Sequence, residues 1–69
     1  MVVKITKSSS RLYWYKPVVG ALVRVNKHTP SLYKVDTKLE PYVSNGFVKI
    51  NLNPITTYLI EADDAKCIS

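Results

Sequence analysis

Apolar and polar residues alternate at period two over several short stretches of the chain, the spacing of half-buried strands and not of helices. Val3 and Ile5 alternate with Lys4 and Thr6. Ala21, Val23 and Val25 alternate with Arg24 and Asn26, with Leu22 breaking the polar side. Tyr33 and Val35 alternate with Lys34 and Asp36. No ten-residue window gathers helix formers, and no apolar stripe recurs at helical spacing. The inward positions of these strands, with Ile60 further along, make Val3, Ile5, Val23, Val25, Tyr33, Val35 and Ile60 the expected core.

Turn signals punctuate the pattern. Ser8-Ser9-Ser10 and Lys16-Pro17 bound the aromatic run Tyr13-Trp14-Tyr15, and Gly20 and Lys27-His28-Thr29-Pro30 follow. Asn45-Gly46 separates Tyr42-Val43-Ser44 from Phe47-Val48-Lys49-Ile50. That dipeptide suits the two positive φ angles of a type I′ hairpin turn, which would set Val43 opposite Val48. Asn51 to Pro54 reads as a loop and Ile55 to Ile60 as a strand. Glu61-Ala62-Asp63-Asp64 suits a single tight or 3₁₀ turn, and Lys66-Cys67-Ile68 a short closing strand. Five or six short strands of this kind predict one small antiparallel barrel or sandwich over residues 1–69. Left as an open sheet, they would bury one face only and expose unpaired edges.

The order of parts resembles an SH3-like barrel: a first strand, a long aromatic loop, three meandering strands, a one-turn helix and a last short strand. The fold expected is therefore all-β, an SH3-like barrel of five or six strands with one short 3₁₀ turn. Leu12-Tyr13-Trp14-Tyr15 is similar in character to the aromatic loop of eukaryotic peptide-binding SH3 domains. The acidic residues that those domains place in that loop are absent, the loop here carries Arg11 and Lys16, and the tandem tryptophans are absent too, so proline-rich peptide binding is not implied. The chain also resembles small uncharacterised proteins of Gram-positive bacteria and their phages. The likeness rests on Val3-Lys4-Ile5-Thr6-Lys7-Ser8-Ser9, Tyr13-Trp14-Tyr15, Gly20 and Asp64-Ala65-Lys66-Cys67-Ile68. It is firmest over the first twenty residues and absent in the middle, where this chain looks longer. It implies a phage or prophage origin and a host-cell cytoplasm, and brings no activity with it. A local likeness to a small peripheral SH3-like protein of photosystem I covers Tyr13-Trp14-Tyr15 and Val19-Gly20 alone.

Composition narrows the chemistry. With Cys67 the only cysteine and His28 the only histidine among 69 residues, neither an internal disulfide nor a Cys- or His-based metal site can form. A reducing compartment is the natural expectation. The stretch from Val18 to Leu22, interrupted by Gly20, falls far short of the roughly 20 residues that span a bilayer. The basic, serine-rich N-terminus lacks the apolar segment of a secretory signal. Gly20 and Gly46 are the only glycines, so no phosphate loop exists. Asp63 and Asp64 read as solvated turn residues, Cys67 as a small buried apolar one, and His28 as a loop residue. No nucleophile–base pair stands out, and neither an enzyme nor a cofactor is expected.

Two features point toward binding. From Met1 to Lys34 there are seven basic residues and no acid, within a net charge of +5. Such a surface attracts nucleic acid or acidic protein, or simply keeps a small domain in solution. Tyr13, Trp14 and Tyr15 are consecutive, so on an extended segment they cannot all enter one core. They either plug the barrel end, form a contact surface, or do both. Arg11, Tyr13, Trp14, Tyr15, Lys16, Arg24 and Lys34 are the candidate binding residues. The reading they favour is a non-enzymatic module that binds a host protein through the aromatic loop. The alternative is a nucleic-acid-binding barrel, with rings stacking on bases and the basic half following the backbone.

Overall fold

The computed structural model describes all 69 residues. Seven short strands form: β1 (Val2–Ile5), β2 (Leu22–Thr29), β3 (Leu32–Val35), β4 (Tyr42–Ser44), β5 (Lys49–Asn51), β6 (Leu59–Glu61) and β7 (Ala65–Cys67). All pairings are antiparallel, in a five-stranded sheet ordered β6-β3-β2-β1-β7 and a separate β4–β5 hairpin packed on β2. Single 3₁₀ turns span Lys16–Val18 and Ala62–Asp64. The fold is all-β and barrel-like. The expected order of parts is present, with the β4–β5 hairpin inserted between β3 and β6.

The eight residues of β2 let it serve two neighbours. Its first half pairs with β1 (Val3 opposite Val23) and its second with β3 (Val25 opposite Val35), with a register shift between Lys27 and Thr29. An irregularity of that kind sharpens local twist and helps a small sheet curl. Inside lie Val3, Ile5, Val23, Val25, Val35 and Ile60, as the alternation predicts, joined by Tyr15, Val18, Ala21, Val43 and Leu52. Tyr33 departs from expectation and is only half-buried. It pairs with Lys27, beyond Val25, where alternation in β2 gives way to exposed residues and the strands run past the core.

The strand count exceeds the expected five or six, and two segments differ in detail. Asn45-Gly46 does tip a hairpin, but the pairs are Val43–Ile50 and Ser44–Lys49, so the two-residue tip is Gly46-Phe47. Only Gly46 has positive φ, at +92°. The reason is the Asn45 side chain. Its Oδ1 accepts from the backbone N–H groups of Phe47 and Val48, the latter a bond that its own carbonyl would take in a type I′ turn. The slip is two residues, so the same face of the strand stays inward. Ile55 to Thr57 form no strand. Asn53 accepts from the Ile55 N–H and Thr56 donates to the Asn53 carbonyl, a side-chain-supported turn that delays β6 to Leu59. The first 3₁₀ turn, not anticipated, begins with Pro17 near its start, where a missing N–H costs nothing. Cys67, expected to be buried, is exposed at the end of edge strand β7. No helix is long and apolar enough to cross a membrane.

Candidate aromatic groove

Three consecutive aromatic residues take three different positions. Tyr15 is the plug, 1% exposed and the largest fully buried side chain. Trp14 and Tyr13 are half-buried and pack against the core from outside. Trp14 meets Tyr15 and Tyr58 edge-on at centroid distances of 5.5 and 5.1 Å, and Tyr13 lies 5.4 Å from Tyr15. These are favourable quadrupolar arrangements. Tyr15 is thus the buried plug, while Tyr13 and Trp14 keep part of their rings at the surface.

The run also closes an exposed sheet edge. Ile60 of β6 and the flanking Tyr58 and Ala62 turn their backbone groups toward β3 and the turn before it, which leaves those of Leu59 and Glu61 on the outer edge. The Trp14 Nε1–H donates to the Leu59 carbonyl at 2.8 Å, and the Glu61 N–H donates to the Tyr15 hydroxyl at 3.4 Å. Side chains here do the pairing that another strand would do, so the edge is not a template for association.

Asp64 holds this arrangement together. It is fully buried, against the expectation of a solvated turn, whereas Asp63 is exposed. Its carboxylate accepts from the Ser9 N–H at 2.9 Å, from the Ser9 hydroxyl, and from the Tyr15 hydroxyl at 2.5 Å. Burial alone would raise its pKa. The bonds from Ser9 and Tyr15, with the positive charge of Lys7, outweigh burial and hold it below the ordinary value. Burial and the bond to Asp64 push Tyr15 strongly upward, so its hydroxyl stays protonated as the donor. An isolated charge in this position would be costly; three donors make it tenable. The result ties the serine-rich loop and aromatic run to the turn after β6.

Alternation then places Leu59 and Glu61, on either side of buried Ile60, on the outer face of the sheet, and Leu32 lies opposite Glu61 on β3. These residues, with Tyr13, Trp14, Tyr15 and Thr57, line a groove of about 280 Å³. Burial first, and then the nearby Glu61 carboxylate, raise the pKa of the Tyr13 hydroxyl.

Of the seven residues singled out in the sequence, Tyr13, Trp14 and Tyr15 meet in this groove. Arg11 and Lys16 are exposed beside the run and do not line it. Lys34, opposite Leu59 in the sheet, lines a separate cleft with Asn26, Asp36 and Lys38, and Arg24 lines a third with Met1 and Leu39. Leu32, Thr57, Leu59 and Glu61 escaped sequence reasoning because only the β3–β6 register, set by pairing of distant segments, brings them to the aromatic run. No group of metal-ligating side chains assembles anywhere in the chain. No family model, curated protein or solved structure matches the chain.

Proposed function

We propose that the chain is a non-enzymatic interaction module that binds a protein through the Tyr13–Trp14 groove. The observation that carries this reading is the groove itself. It is a predominantly apolar concavity lined by half-exposed aromatic rings, and it is fixed by the Asp64 clamp and by bonds to β6. Rigid aromatic residues in a preformed depression lose little entropy on binding and anchor protein interfaces. The resemblance to small phage and prophage proteins suggests a partner from the host cell.

A second reading has its own support. Lys66, Lys4, Arg24 and Lys34 occupy outward positions on four successive strands, β7, β1, β2 and β3, with Lys4 directly opposite Lys66. A polyanion could follow that face. Glu61, which lines the groove, weighs against nucleic acid stacking on the aromatic run, and Glu40, which accepts from the Arg24 N–H, sets a carboxylate beside the basic face.

Capture from a host lysate treated with nuclease separates the two. A partner should be retained by the wild type, reduced about tenfold or more by Tyr13→Ala, and unaffected by combined Arg11→Ala and Lys16→Ala. Loss of every partner on nuclease treatment would overturn the proposal. So would retention on single-stranded oligonucleotides with a log K against log salt slope near −2.8, the value for about four phosphate contacts.

A further inference from the structure

We infer that the groove receives a cationic side chain, an arginine of the partner protein. This deepens the reading of the groove as a protein-binding site and depends on it. The chain carries ten basic residues against five acidic, yet none of the ten lines this groove, and its only charged lining residue is Glu61. Among the lining residues the charge is therefore negative, with the nearest outward cation, Lys34, opposite Leu59 on β3. Asp64, which accepts from the hydroxyl of the lining residue Tyr15, sets a second carboxylate behind the groove wall.

The lining suits arginine in each of its parts. Leu32, Leu59 and the methyl of Thr57 offer apolar surface to a three-carbon stem. Tyr13 and Trp14 offer rings to a guanidinium, which stacks on aromatic faces better than an ammonium does and gives up its hydration more readily. Glu61 offers a carboxylate matched to the planar donor fork. Trp14 is restrained by its bond to Leu59 and its edge contacts with Tyr15 and Tyr58, so the ring is in place before a ligand arrives. A nucleic acid fits the same surface poorly, because its phosphates would approach two carboxylates.

Trp14 is the only tryptophan, so its emission and its indole N–H resonance report on the groove directly. The test titrates N-acetyl-arginine amide into the wild-type protein, with N-acetyl-citrulline amide as the neutral isostere. The arginine probe should shift Tyr13, Trp14, Leu59 and Glu61, with at least about fivefold tighter binding than citrulline and weakening at high salt. Glu61→Gln should remove that preference at unchanged thermal midpoint. Thr57→Lys, at an exposed position that supplies a competing cation, should weaken the arginine probe alone. Equal binding of arginine and citrulline probes, or a preference that survives Glu61→Gln, overturns the cationic ligand while leaving groove-dependent partner capture intact. Loss of capture dependence on Tyr13 removes the groove reading itself. Displacement of the arginine probe by a single-stranded oligonucleotide would also overturn the inference.

Discussion

Asp64 is the residue on which the site most depends. A buried carboxylate with three donors converts a flexible serine-rich loop into a fixed wall, because Ser9 and Tyr15 meet on it from opposite ends of the loop. Asn in its place keeps the size but turns an N–H₂ toward at least one donor. Asp64→Asn should therefore destabilise the fold by about 2–4 kcal/mol, read as a lower denaturation midpoint. The pH dependence follows from the direction of the shift. A carboxyl held below its unfolded value of about 3.9 stabilises the fold fully at neutral pH, and that contribution is lost as pH falls through the lower folded pKa. The acid limb of the thermal midpoint should be shallower in Asp64→Asn than in the wild type. An identical limb would mean that Asp64 titrates without consequence.

The β4–β5 hairpin and the closed β6 edge show two uses of side chains in place of backbone pairing. Asn45 bonds inward to the Phe47 and Val48 N–H groups and outward to the Pro17 and Val19 carbonyls. The inserted hairpin is thereby docked on the turn that follows the aromatic run. Asn45→Ala should loosen that contact and cost about 1–3 kcal/mol. Gly46→Val should cost roughly 1 kcal/mol or more, because a β-branched residue is strained at φ +92° although nothing crowds a Cβ there. Urea midpoints of both variants equal to that of the wild type would contradict this account. The strands were legible in the sequence wherever one face is buried. Val3, Ile5, Val23, Val25 and Val35 alternate because period two and burial coincide. The hairpin register was not legible, since it turns on whether Asn45 uses its backbone or its side chain. Nor was the end of alternation in β2 after Val25, which depends on where the barrel closes.

The molecule's charge is divided differently along the chain and over its folded surface. Along the chain the first half is basic and the second acidic. In the fold, basic residues spread over the outer sheet face while Glu61 and the aromatic rings share a groove. The aromatic half of the candidate site was visible from three consecutive rings. The other half was not, because Leu32, Leu59 and Glu61 belong to strands whose meeting with the run is tertiary. The most exposed of the other apolar side chains, Leu12, Phe47 and Ile55, line no concavity, while Met1 and Leu39 line the cleft beside Arg24, which has no aromatic ring.

As proposed above, binding runs through the groove and not through the basic face. The most direct measurement is the footprint of the captured partner on the ¹⁵N-labelled chain, mapped by chemical-shift changes. Perturbations should centre on Tyr13, the Trp14 indole, Leu32, Leu59 and Glu61, and fade toward β1 and β7. A footprint centred instead on Lys4, Arg24, Lys34 and Lys66, with the Trp14 indole unmoved, would contradict it.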